Sequence, residues 1–216
     1  MMAADRPDPK LMFQFTLRRR GVSDLAVLRA MEEVPRELFV APEFAADAYR
    51  DAALPIACGQ TISQPFVVAY MCNQLELGTG HRVLEVGTGS GYHAAVMSRL
   101  CASVTTIERF RTLAEQAQRR FKKLGYANIE VIVSDGLNPS PDLGPFDRIL
   151  VTAAMSEVPQ PLLDALDDGG VLVGPVGNHR TVQKLVKLRR SGEGVERKNL
   201  IDVRFVPALP GVAREL

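Results

Sequence analysis

Apolar positions along the chain fall into two periods. Between Leu11 and Leu75 they recur at helical spacing. The segments Leu11 to Arg20 and Asp24 to Val34 read as helices, and after Pro65 the residues Val67, Tyr70, Met71 and Leu75 share one face of a third. Ser23 is placed to cap the second helix and Pro35 to stop it. Another helix boundary falls at Ser63-Gln64-Pro65, and the stretch before it, Asp51 to Ile62, is irregular and rich in small residues. From Arg82 onward the pattern alternates. Strand 82–87, helix 92–101, strand 103–108, helix 110–124 and strand 129–133 lead through a Pro/Gly loop to strand 148–153 and a short helix from Pro161 to Leu166. Helices of this length between strands imply right-handed crossovers and a doubly wound, mostly parallel α/β sheet. The tail differs: Gly170 to Val176, Val182 to Leu188 and Leu200 to Val206 are strand-like with no long helix between them, and predict an antiparallel edge. The expected organisation is a helical N-terminal lobe over 1–77 and a sheet domain over 78–216.

Composition narrows the class without naming a function. A chain of 216 residues can bury a good core, and 46% hydrophobic with 24% charged residues is ordinary for a soluble globular protein. The formal net charge of +1 leaves no global field to attract nucleic acid or an anionic membrane. Met1 to Lys10 carries Asp, Arg, Pro and Lys where a signal peptide needs an apolar core, and no apolar run approaches spanning length. Three cysteines, Cys58, Cys72 and Cys101, with no Cys-x-x-Cys spacing, fit a reducing cytoplasm.

The candidate chemistry begins at Val83-Leu84-Glu85-Val86-Gly87-Thr88-Gly89-Ser90-Gly91, an apolar strand that runs through an acidic residue into three alternating glycines and then a helix. Strand, glycine turn and helix N-terminus form a cofactor crevice at the carboxyl edge of a parallel sheet. A dinucleotide fingerprint requires glycine at position 92, and Tyr92 stands there, which disfavours a nicotinamide dehydrogenase. The spacing instead resembles the first motif of S-adenosylmethionine-dependent methyltransferases. Glu108, ending the second strand, can accept two hydrogen bonds from a ribose diol or stand as a solvated carboxylate. Asp135-Gly136, ending the third, reads as an acceptor for an adenine amino group or as a plain turn. Asp147 reads as a solvated strand start, with an acceptor site nearer Thr152 to Ala154 at the other end of that strand. Ser63 reads as an N-cap or as a hydroxyl presented to a substrate at a helix N-terminus that favours anions. His93 follows the glycine loop and can touch a cofactor, though a helix-surface position is the plainer reading. The basic run Arg119, Arg120, Lys122, Lys123 shares its helix with the apolar stripe Ala117, Phe121, Leu124, so a solvated face is expected. No metal-ligand spacing is found.

Together these segments resemble the protein-L-isoaspartate (D-aspartate) O-methyltransferase family. The resemblance rests on Val34-Pro35-Arg36-Glu37-Leu38-Phe39-Val40, Leu54-Pro55-Ile56, Gly59-Gln60-Thr61-Ile62-Ser63-Gln64-Pro65 and Leu84 to Tyr92. It continues through Thr106-Ile107-Glu108-Arg109, Leu124-Gly125-Tyr126, Thr152-Ala153-Ala154, Gly169-Gly170, Pro175-Val176-Gly177 and Val203 to Pro207. It implies a Rossmann-like class I methyltransferase fold and a repair reaction. The free α-carboxylate of an isoaspartyl residue is methylated, the ester closes to a succinimide, and hydrolysis returns some normal aspartate. By the same resemblance Ser63 is the active-site residue. Glu85, Gly87, Thr88, Gly89, Gly91, Glu108, Asp135 and Gly136 contact S-adenosyl-L-methionine, or its product S-adenosyl-L-homocysteine. Thr61, Ile62, Ser63, Gln64, Val176 and Gly177 line the substrate cleft. A monomer acting on isoaspartyl proteins or peptides, without nucleic acid or membrane, is expected. Four departures stand out: His93 where the family usually has Gln, Ser134 where it has Gly, Cys58 in place of a small residue, and Met155 in place of proline. A carboxylate acceptor is already ionised near neutrality, so no general base is required. The competing readings are a related methyltransferase with another acceptor and a non-catalytic module that only retains the cofactor.

Overall fold

The computed structural model describes residues 9–192 and 194–213. The first eight residues of the expected lobe, and most of the stretch read against a signal peptide, lie outside them. The chain opens with α1 (Pro9–Arg19) and α2 (Leu25–Glu33), followed by 3-10 turns over Arg36–Phe39 and Pro42–Asp47. A two-stranded hairpin, β1 (Leu54–Pro55) with β2 (Thr61–Ile62), leads into α3 (Pro65–Leu75). The sheet elements are β3 (Arg82–Val86), α4 (Tyr92–Met97), β4 (Ser103–Glu108), α5 (Arg111–Leu124), β5 (Ile129–Val133), β6 (Phe146–Val151), α6 (Gln160–Asp164), β7 (Leu166–Val176), β8 (Gln183–Ser191) and β9 (Gly194–Val203).

Seven strands form one sheet in the order β5-β4-β3-β6-β7-β8-β9, the reversal of direction at β3 marking the switch point of a doubly wound fold. The pairs from β5 to β7 are parallel and the last two antiparallel. The antiparallel edge is therefore smaller than the sequence suggests. β7 runs parallel to β6 because α6, short as it is, returns the chain across the sheet. β9 begins at Gly194, earlier than expected, because its first half carries Glu196, Arg197 and Lys198 on an exposed edge and shows no apolar run. Such charges also discourage edge-to-edge association.

Side chains alternate across the sheet. Val83, Val104, Leu150 and Val173 belong to a core shared with α1, α2, α3 and α4, whereas Leu84, Val86, Ile107, Ile149 and Val151 face a second core. That second face is covered by Leu162 of α6 and by Leu137 and Leu143 of the 134–145 connection. The helical lobe is thus continuous with one face of the sheet. On α5 the buried positions Leu113, Ala114, Ala117 and Phe121 make one stripe, and Gly125 ends the helix in the left-handed region at φ 74°. Replacing Phe121 with Ala would cost about 3–5 kcal/mol by the usual cavity penalty.

Two capping expectations change. Asp24, not Ser23, caps α2: its Oδ1 accepts from Ala26 N at 2.9 Å and Val27 N at 3.2 Å. Ser63 does not cap α3 either. The N-cap position is Gln64, whose side chain makes no cap bond, and Asp51 Oδ1 reaches from the irregular segment to accept from Phe66 N at 2.8 Å. A carboxylate satisfies helix-terminal amides more strongly than a hydroxyl. The helix start after Ser63 is therefore already neutralised from within, with Arg20 paired to Asp51 and stacked over the Phe66 ring at 3.8 Å. None of the helices among the described residues is long and apolar enough to cross a membrane.

Candidate active site

β3 ends beneath a cavity of about 980 Å³, counted out to its open mouth. Its walls include the hairpin and loop at Gln60, Thr61, Ile62 and Ser63, the turn after β3 with the start of α4, the ends of β4 and β6, Gly136 after β5, and the segment Val206 to Leu209. The glycine turn is held from both sides. Gly87 N donates to Ile107 O at 2.8 Å, and Thr152 Oγ1, at the end of β6, donates to Gly87 O at 2.6 Å. Gly87 sits at φ 99°, and a Cβ there would lie 2.4 Å from Thr152 Oγ1, so only glycine fits.

Two carboxylates lie in this wall with opposite environments. Glu108 accepts from Gly89 N at 2.9 Å through Oε2 and from Phe110 N at 3.0 Å through Oε1. A carboxylate has about four acceptor positions, so each oxygen keeps a lone pair for a ligand diol. Glu85 is fully buried, and burial pushes its carboxyl up to about 8. Thr106, its register partner on β4, donates to Oε2 at 2.6 Å and shares a second bond with Thr88 at 2.7 Å. Oε1 has no partner among the described residues. A buried acceptor left open beside a cavity is a place where a cationic or N–H group of a ligand gains most.

At the other end Ser63 is half-buried, and among the described residues nothing hydrogen-bonds to its hydroxyl. Its carbonyl, however, is fixed. Arg36, fully buried, donates from Nη2 to Ser63 O and from Nε to Ala48 O, both at 2.8 Å, with its guanidinium 4.6 Å over the Tyr92 ring. Arg120 joins the same regions from outside, donating to Leu38 O and to Ser90 O of the glycine turn, each at 2.7 Å.

The cavity thus joins a free hydroxyl at Ser63 to a glycine cradle and two carboxylates, and the comparisons with known proteins speak to that combination. The family described as Protein-L-isoaspartate(D-aspartate) O-methyltransferase (PCMT) matches residues 9–213. The chain belongs to the protein-L-isoaspartate (D-aspartate) O-methyltransferase family. A Bradyrhizobium sp. (strain BTAi1) protein named Protein-L-isoaspartate O-methyltransferase is 62% identical over 215 residues, covering 100% of both chains. A solved structure titled protein-L-isoaspartate O-methyltransferase superposes with a TM-score of 0.83 at 30% identity, over 92% of this chain and 65% of that one. A Plasmodium falciparum structure, described as a protein-L-isoaspartate O-methyltransferase in complex with S-adenosyl-L-homocysteine, gives 0.81 at 27% identity, over 94% of this chain and 99% of that one.

Within this methyltransferase-family fold the sequence-predicted residues separate into two groups. Thr61, Ile62, Ser63, Glu85, Gly87, Thr88, Gly89, Glu108 and Gly136 line the cavity. Gln64, Gly91, Asp135, Val176 and Gly177 are not in its wall. Gly91 supports the turn from behind, where a Cβ would meet Phe121 at 2.6 Å. Asp135 commits both oxygens to backbone amides, Oδ1 to Leu137 N at 2.9 Å and Oδ2 to Gly211 N at 2.7 Å, so it fastens the C-terminal segment behind the wall. Gly177 N donates to Met155 O at 2.8 Å, tying the end of β7 to the segment after β6. His93, read as a helix-surface residue, is 7% exposed and belongs to the cavity wall. Arg119 lies solvated beside Glu115 as expected, but Arg120 turns inward, which no periodicity could show because its partners are backbone carbonyls. Arg36 and Thr106 are further functional positions that residue type and spacing do not reveal, whereas Thr152, at the strand end where the sequence places an acceptor site, fastens the glycine turn. The roles of Arg36 and Thr106 are recognisable only through burial and strand register, although both lie in family-like motifs.

Proposed function

We propose that this chain is a protein-L-isoaspartate O-methyltransferase that uses S-adenosylmethionine to methylate the free α-carboxylate of isoaspartyl residues in damaged proteins. The observation that carries the reading is one cavity in which Ser63 and its loop meet the glycine turn, Glu85 and Glu108. The residues fit the cofactor. Glu108 retains acceptor capacity for a ribose diol, Glu85 Oε1 is a buried oxygen with no partner among the described residues, and the glycine turn offers backbone that no side chain obstructs. When bound, S-adenosylmethionine supplies a methyl group activated by a sulfonium, so no covalent enzyme intermediate is needed.

The chain's own residues then have positioning tasks. The acceptor carboxylate is ionised at neutral pH and needs no base. We assign to the Ser63 hydroxyl a hydrogen bond that orients it, and to Arg36 the placement of Ser63 through its carbonyl. Orientation of this kind is a large part of rate enhancement where reactants are brought together. Ile62, Val206 and Ala208 give the cavity an apolar lining beside the reacting carboxylate. We further propose that the segment up to residue 77 presents the acceptor while 78–216 holds the cofactor. The enzyme is proposed to act as a cytoplasmic monomer without nucleic acid; light scattering at working concentration tests the oligomeric part.

The deciding measurement is labelled-methyl transfer to two peptides identical except for isoaspartate or aspartate at one position. Base-labile label on the isoaspartyl peptide alone is expected. Cofactor binding without transfer to either peptide would overturn the acceptor assignment.

A further inference from the structure

A histidine in the wall of the cavity meets a buried cysteine behind it, and the reaction as derived uses neither. His93, in the first turn of α4, faces Cys72 of α3, and Cys72 Sγ lies 3.3 Å from His93 Nε2. Cys72 is 1% exposed. Desolvation pushes its thiol up, with Glu85 adding to the rise, so the sulfur keeps its proton. Desolvation, assisted by the Arg36 charge, lowers the imidazole to about 3, so the ring is neutral throughout the physiological range. A neutral ring has one N–H and one bare nitrogen, and the partner at one nitrogen decides which is which. A thiol is a better donor to an imidazole nitrogen than an acceptor from it, so Nε2 is the bare nitrogen and Nδ1 carries the hydrogen. No hydrogen bond within the described residues engages Nδ1, and His93 is part of the wall of the cavity. The charged and titratable groups acting on the pair are Arg36 from the 3-10 turn on His93, and Glu85 from β3, Cys101 and Asp24 on Cys72.

We infer that His93 donates a hydrogen bond from Nδ1–H to a carboxylate bound in the cavity, and that Cys72 fixes the ring in the tautomer that can do so. The inference rests on the proposed methyltransferase reading, which brings two carboxylates to this cavity: that of the cofactor's aminoacyl end and that of the acceptor. A neutral donor suits either role. It orients an anion without the strong, pH-dependent retention that an imidazolium would impose.

The test compares wild type with His93→Phe, which keeps a flat ring and removes both nitrogens. Calorimetry is run with S-adenosylhomocysteine and with 5′-methylthioadenosine, which lacks the aminoacyl carboxylate, and KM is measured for an isoaspartyl peptide. Loss of one hydrogen bond to a charged group should change the relevant constant by about tenfold or more. Weaker S-adenosylhomocysteine binding with 5′-methylthioadenosine unchanged assigns the cofactor carboxylate. A raised peptide KM with S-adenosylhomocysteine binding unchanged assigns the acceptor carboxylate. Equal losses for both nucleosides, or no change in any constant, would overturn the inference by reducing His93 to wall packing. Cys72→Ser should behave as wild type because a hydroxyl still donates to Nε2, whereas Cys72→Val should show part of the His93→Phe defect. A full-strength Cys72→Val would overturn the role given to the thiol. Imidazole 15N spectra of the unmodified protein need no variant: a neutral Nδ1–H ring is expected, and an Nε2–H ring would sink the assignment. Failure of wild type to bind S-adenosylhomocysteine at all would instead fault the methyltransferase reading.

Discussion

The two ends that we propose for the cavity, one for the cofactor and one for the acceptor, are built by different means. The cofactor end lies on the carboxyl edge of the sheet, where strand register itself places Glu85 beside Thr106 and closes the glycine turn with Ile107 and Thr152. The acceptor end is a hairpin of two residue pairs whose connecting turn includes Cys58 in the left-handed region at φ 58°. Few ladder bonds hold it. Its position instead depends on Arg36 and Asp51, which reach in from the lobe to a carbonyl and a helix amide. The difference implies that cofactor binding tolerates changes in the lobe, whereas turnover does not.

Breaking the cofactor end should have the largest effect. Gly87→Ala forces a Cβ against Thr152 at a left-handed position, and S-adenosylhomocysteine affinity measured by calorimetry should fall by about 100-fold or more. Glu108→Ala removes both the diol acceptor and the partner of Gly89 N, and a weakening of about 10- to 100-fold is expected in the same assay. An unaltered dissociation constant would remove Glu108 from the cofactor site.

The acceptor end should respond in the opposite sense. Ser63→Ala is expected to lower kcat by about 10- to 100-fold, with S-adenosylhomocysteine affinity within about twofold of wild type. Arg36→Met leaves the buried carbonyls of Ser63 and Ala48 without their donor. It should reduce kcat similarly and also lower Tm by several degrees, at about 1–3 kcal/mol per orphaned acceptor. If cofactor affinity collapsed in either variant, the two ends would not be separable.

The smallest predicted effect sharpens the electrostatics of the cofactor end. Glu85 titrates near 8 when folded and near its ordinary value when unfolded, so between those values the folded state binds the extra proton. Stability from this group is therefore present at low pH and is lost as pH rises toward about 8. The Tm of the cofactor-free protein should fall over that range, and Glu85→Gln should flatten the fall. An identical pH profile in the variant would show that Glu85 ionises freely.

Periodicity located α5, β4 and β5 to within a residue at each end, because a helix or strand with one buried face writes that face into the sequence. The first half of β9 escaped because an edge segment with charged, exposed side chains has no such face. The caps escaped for a related reason: Asp24 and Ser23 are equally good candidates by type, and the donor geometry chooses between them. At the site the contrast is sharper. Gly87, Glu108 and Ser63 could be nominated from type and spacing, but the inward turn of Arg120, the burial of His93 and the attachment of Asp135 to Gly211 could not.

By itself the sequence determined the doubly wound core and the glycine turn, because these depend on residue types at fixed local spacings, and its resemblance to a known family implied the reaction. Only the tertiary structure decided that β7 joins the parallel part of the sheet and that Asp51 rather than Ser63 caps α3. It also decided that Arg36 anchors the loop carrying Ser63 and that Cys72 lies behind His93 of the cavity wall. Each of these joins residues distant in the chain through backbone carbonyls, amides or a buried thiol. Such groups are common to many positions, and their meaning comes from where the fold puts them.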